Sequence, residues 1–86
     1  MTKEIITEKL VAVGMPQESI EWRSGLSNGK PYDYFRYNYW RPLPDEALSA
    51  ISEHMYEDLY EDDDGDDDRG RSIIRRMWSY HFKSQN

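Results

Sequence analysis

Ten carboxylates fall in the sixteen residues from Glu53 to Asp68: Glu53, Glu57, Asp58, Glu61, Asp62, Asp63, Asp64, Asp66, Asp67 and Asp68. Clustered carboxylates can hold a hard cation, act as an acid/base pair on a sugar, or present phosphate-like charge to a basic surface. The first use fails on register. With Gly65 at the sixth position of an EF-hand loop, Asp62 and Asp64 suit the third and fifth, but Tyr60 and Arg71 occupy the first and twelfth, where acids are required. The second use needs a substrate cleft, for which a chain of 86 residues offers little room. His54 and His81 have no paired nucleophile, and the sequence contains neither a glycine-rich phosphate loop nor an HExxH arrangement. No catalytic residue, metal site or cofactor is assigned, and the expectation is that the protein is not an enzyme.

The third use fits the charge distribution. Residues 1–43 carry a net charge of +1, residues 44–68 carry -12 with no Lys or Arg, and residues 69–86 carry +5 with no acid. The acidic block dominates the long-range field and favours a basic partner. The chain has no Cys, which removes disulfides, thiolate nucleophiles and Cys-based zinc sites, and suits a reducing cytoplasm. Its first residues, "MTKEIITEKLVAVG", interleave Lys and Glu with the apolar positions, unlike a signal peptide or a membrane span.

These carboxylates must be positioned by one small domain, expected to be α+β. A helix is expected over 2–13, capped by Thr2, with Ile6, Leu10 and Val13 on one face and Gly14 at its end. A β-hairpin is expected over 18–40, with strands at 18–25 and 32–40 turning on Asn28-Gly29. Pro44, Asp45 and Glu46, followed by Leu48, Ile51, Met55 and Leu59 at spacings of three and four, predict an acidic helix over 44–61. An acidic loop over 62–71 and a shorter basic helix over 72–82 complete the expected order.

On such a helix Glu46, Glu53, Glu57, Glu61 and Asp64 form an exposed row opposite the apolar stripe. Four-residue steps rise by about 6 Å, of the same order as the phosphate spacing of about 3.4 Å along one nucleic-acid strand. The row opposes the helix that carries it. Each like-charge pair four residues apart costs ~0.2–0.5 kcal/mol, and acids at a helix C-terminus lose ~0.3–1 kcal/mol apiece at low salt. A departure from local rules concentrates at functional sites, so this block is the expected functional surface. The plainer account is a solvated cap, in which Asp66, Asp67 and Asp68 favour the next helix's N-terminus and pair with Arg69, Arg71, Arg75 and Arg76.

A second unusual stretch, "YDYFRYNYW", holds six aromatic residues in nine. Alternation places Tyr32, Tyr34, Arg36, Asn38 and Trp40 on one face and Asp33, Phe35, Tyr37, Tyr39 and Arg41 on the other. One face packs on the helices. The other either shields the hairpin or, with Tyr34, Arg36 and Trp40 turned outward, offers anchors for a protein interface or a stacking platform for bases; which face is exposed is left open. At a net charge of -6, protein binding ranks above direct nucleic-acid binding.

The segment "DEALSAISEHMYEDLYEDDDGDDD", in a tiny cysteine-free chain, resembles the small acidic proteins of phages and mobile elements that mimic nucleic acid and block host defence machinery, such as anti-restriction and anti-CRISPR proteins. The resemblance covers about residues 44–68 and rests on charge pattern. These inhibitors share no sequence motif, so no residue role carries over, and the basic C-terminal segment departs from the pattern. It implies a stoichiometric inhibitor in the host cytoplasm whose partner is a nucleic-acid-binding protein or complex with a basic groove, with no membrane and no direct nucleic acid. Glu53, Glu57, Asp58, Glu61 and Asp62 to Asp68 would occupy that groove, with Tyr34, Arg36 and Trp40 as anchors. The alternatives are an adaptor or assembly protein that binds through the aromatic hairpin, and a single-stranded nucleic-acid binder. Oligomeric state is left open.

Overall fold

The first helix, α1 (Lys3–Ala12), has caps readable from its ends. The Thr2 hydroxyl accepts the Ile5 N–H, while the N–H groups of Gly14 and Met15 return to the carbonyls of Val11 and Leu10. That double bond at the C-terminus is a Schellman ending, and it brings Met15 beside Leu10 in the core. After a short 3-10 turn (Gln17–Ser19) come strands β1 (Glu21–Ser27) and β2 (Lys30–Arg36), joined through Asn28 and Gly29, both at positive φ. This is the turn that matches strand twist, and the hairpin forms on it with strands at 21–27 and 30–36 in place of the expected 18–25 and 32–40, of which residues 38–40 lie outside the described residues.

A computed structural model describes residues 1–37 and 41–83. Helix α2 (Asp45–Ile51) follows, then two long strands, β3 (Met55–Asp66) and β4 (Ser72–Phe82). The sheet is antiparallel with order β1-β2-β4-β3, so the last strand lies between the second and third. The architecture is an α+β mix of two α-helices and a four-stranded sheet.

Three expectations are corrected here. The acidic helix expected over 44–61 stops at Ile51, the acidic loop expected over 62–71 is strand as far as Asp66 and a turn only over 67–71, and the basic helix expected over 72–82 is β4. In a helix, Glu53, Glu57 and Glu61 would stack one turn apart near its negative pole. In a strand, neighbouring acids point to opposite faces, and Glu61 and Asp62 lie opposite Arg76 and Arg75 of β4. β4 is also rich in the β-branched and aromatic residues that fit a pleated surface: Ile73, Ile74, Trp78, Tyr80 and Phe82.

Both helices pack on one face of the sheet. Ile6 and Leu10 of α1 and Ala47 and Ile51 of α2, each pair four residues apart, meet Phe35, Met55 and Tyr80 from three strands. Phe35 and Tyr80 stack with centroids 4.9 Å apart, and Trp22 tilts against Phe35 at 5.0 Å. The Trp22 indole N–H donates to the Thr7 hydroxyl at 2.8 Å, tying α1 to β1. The fully buried Tyr80 takes the Leu43 N–H at 2.7 Å and donates to Glu57 at 2.9 Å. Burial, reinforced by Glu57, pushes its phenol well above the usual 10, against the opposing pull of the Leu43 N–H.

Candidate binding surface: the open sheet face and the acidic arm

Alternation along the strands sends Tyr32, Tyr34 and Arg36 of β2, Tyr56, Asp58 and Tyr60 of β3, and Ser79 and His81 of β4 to the face without helices. Register then aligns three rings across three strands. His81 lies opposite Tyr34 on one side and Tyr56 on the other, stacked on both at centroid distances of 5.0 and 5.4 Å. The Arg36 guanidinium sits 5.8 Å from the centre of the Tyr34 ring. Tyr32 lies over Gly25, its register partner, so closely that a Cβ at position 25 would come within 2.8 Å of the ring. Gly25 is therefore what lets Tyr32 lie flat on this face. A shallow hollow of about 260 Å³ opens between Tyr34, Tyr60, Met77 and His81.

The electrostatics of His81 follow from its position. Partial burial lowers its pKa from the usual 6.5, the Asp58 carboxylate at 3.8 Å pulls it up, and the Arg36 guanidinium pushes it down again. Its Nε2 is 3.0 Å from the Ser79 hydroxyl. The result is a neutral ring between two tyrosines at neutral pH, which suits stacking and apolar contact.

β2 pairs with β4 only from Arg36↔Ser79 to Tyr34↔His81, so the β3–β4 ribbon continues beyond the sheet as an arm. Between Met55 and Phe82 it carries nine acids and four arginines. Every β3 residue after Met55 is exposed. The register shifts between Asp63 and Asp66, where the Asp63 carboxylate accepts the Gly65 N–H at 2.9 Å. At the tip, one Asp67 oxygen accepts the N–H groups of Arg69 and Arg71, both at 2.8 Å. The Asp67 N–H closes the loop on the Arg71 carbonyl, with Gly70 at positive φ. That geometry matches a hairpin with a three-residue connection.

The expected site residues are thus brought together differently from a helical row. Glu57, Glu61 and Asp63 face the helix side, whereas Asp58 and Asp62 share the open face. Glu61 pairs with Arg76 at 3.1 Å and Asp64 pairs with Arg75. Glu53 lies in the turn after α2, 3.9 Å from His54. Asp66 sits past the register shift opposite Ser72, and Asp67 and Asp68 form the tip. Tyr34 and Arg36 are on the open face as expected, while Trp40 lies outside the described residues.

Tyr56, Tyr60 and His81 join this surface without having been singled out for it. Their signal was a period of two in "YEDLYED" and "WSYHF", which a helical reading of both segments conceals. Among the described residues no cluster of His, Asp and Glu could hold a metal ion, and no helix is long and apolar enough to cross a membrane. Comparison of the chain with protein-family models, curated proteins and solved structures finds no match.

Proposed function

We propose that the protein is a stoichiometric inhibitor that occupies the basic, nucleic-acid-binding groove of a host defence complex, in the manner of anti-CRISPR or anti-restriction proteins. The observation that carries the reading is continuity: the open Tyr and His face runs along β3 and β4 directly into an exposed acidic ribbon. A strand rises about 3.3 Å per residue and alternates its faces, so acids that share a face, such as Glu61 and Asp63, recur at about 6.6 Å, of the same order as the phosphate spacing of about 3.4 Å. Their charge steers encounter with a basic groove. Tyr32, Tyr56 and Tyr60, each more than a third exposed, supply the apolar anchors that slow release, because an exposed ion pair alone contributes only ~0–1 kcal/mol. No catalytic step is assigned, and the inhibitor would act in the host cytoplasm.

The test is capture of targets from a bacterial lysate at low and high salt, with competition by free DNA and RNA. The proposal requires a nucleic-acid-processing complex that is released by salt and by nucleic acid, and that Glu61→Lys/Asp62→Lys/Asp63→Lys no longer captures while remaining folded. Capture untouched by all three would transfer the function to the aromatic face as an adaptor. A second reading, single-strand binding by the open face, is favoured by the Tyr34, His81 and Tyr56 stack beside Arg36. It requires the purified protein to retard an oligonucleotide on a gel.

A further inference from the structure

β3 has a second property that its charges alone do not express: it is the edge of the sheet. Its pairing with β4 is unbroken from Met55↔Phe82 to Asp63↔Ile74, a run of about 30 Å at strand rise. One side of that backbone is hydrogen-bonded to β4, and the other faces away from the sheet. Unpaired strand edges are templates for another strand, and proteins ordinarily shorten, bend or charge them. This one is long, and it carries Tyr56, Leu59 and Tyr60 at 49, 45 and 55% exposure.

The character of the acceptable strand follows from both faces. Along the open face an incoming strand meets Tyr56, Asp58, Tyr60 and Asp62 in turn, and along the helix side Glu57, Leu59, Glu61 and Asp63. Acids therefore alternate with aromatic or aliphatic side chains. A second copy of this chain pairing through the same edge would set carboxylate against carboxylate, which is destabilising across strands. Basic side chains opposite the acids, with apolar ones opposite the tyrosines and Leu59, satisfy every position. The other edge, β1, is shorter and nearly neutral, with Glu21 and Arg23 paired to each other at 3.5 Å.

We propose that β3 binds its partner by strand addition: an extended, Lys- or Arg-rich segment of the target protein pairs with the free edge of β3 and continues the sheet. Main-chain hydrogen bonds then supply the attachment, and the alternating acids and tyrosines select a basic strand over others. This inference rests on the basic-partner reading of the protein and adds to it a mode of contact that free nucleic acid cannot imitate.

The experiment compares two synthetic peptides in which pairs of lysines alternate with pairs of valines, so that basic and apolar side chains alternate along each face; they are identical in charge, and one of them is methylated on alternate backbone nitrogens. Binding to the full-length protein is measured by titration calorimetry, and the site is mapped by amide chemical shifts. Strand addition requires the unmodified peptide to bind at least about tenfold more tightly, a difference of ~1.4 kcal/mol, with the shifts concentrated on Met55–Asp63. Equal affinities would overturn strand addition and leave a purely electrostatic contact. Failure of both peptides to bind would overturn the inference and the basic-partner reading together. Shifts confined to β1 would place the edge contact on the wrong strand and overturn it as well.

Discussion

Strands β3 and β4 pass through two environments without a break in their pairing. Near the sheet, Met55 of β3 and every second residue of β4, Trp78, Tyr80 and Phe82, lie in or against the core. Beyond Leu59 and Trp78 the same ribbon has no third strand beside it among the described residues, and cross-strand pairs such as Arg76 with Glu61 replace packing. An isolated two-stranded ribbon is marginal in water. The arm is therefore held mainly from its base, and its side chains are released from the demands of a core. That division explains how a small protein can concentrate like charge in one segment: the segment that repels itself is not the one that stabilises the fold.

The sharpest way to break this division is Phe35→Ala, which empties the centre of the aromatic stack. It is expected to cost ~3–5 kcal/mol, read as a lower urea midpoint, and a cost below that of an arm substitution would refute the assigned core. Tyr80→Phe comes next. It leaves the Leu43 N–H without its acceptor and is expected to cost ~1–3 kcal/mol; an unchanged midpoint would show that the bond contributes nothing net. In the arm, Arg76→Ala should cost no more than ~1 kcal/mol, while amide exchange from Glu61 to Ile74 should be faster than around Phe35 and Tyr80. Equal protection in both regions would mean that the ribbon is stabilised on its own.

The smallest expected effect concerns pH. Burial holds the folded-state pKa of His81 below the usual 6.5, so the unfolded chain takes up the proton first as pH falls. His81 thus lowers stability as pH drops through 6.5, while its neutral form is fully compatible with the fold above that value. His81→Gln should flatten this part of the stability profile relative to the unsubstituted protein. An identical slope in both would assign the acid sensitivity to other groups.

Where local chemistry specifies a structure by itself, the sequence is readable. Thr2 and Gly14 bound α1, and Asn28-Gly29 turns the first hairpin, as their residue types require. The second half was obscured by spacing. Met55 and Leu59, like Ile74 and Trp78, are four residues apart, a step that fits one turn of helix and two pleats of strand equally well. In β4 the neighbours decide between them, because Trp78, Tyr80 and Phe82 recur at every second residue, and in β3 the acids divide between two faces, with Glu61 and Asp62 opposite Arg76 and Arg75. Long-range pairing with β4 resolves what local periodicity leaves ambiguous. Of the expected anchors, alternation in β2 put Tyr34 and Arg36 on one face together, but which face the helices leave open, and the stack with His81 and Tyr56, depend on register between distant segments.

The position of β4 between β2 and β3 also sets an order of events during synthesis. A ribosome can release the first hairpin and both helices before any strand exists that could join β2 to β3. Until Ser72–Phe82 emerges, Phe35 has no ring from β4 to stack on and Leu43 has no Tyr80 to bind. The nascent chain therefore carries an unfinished sheet, with β2 and β3 both open, until β4 has emerged.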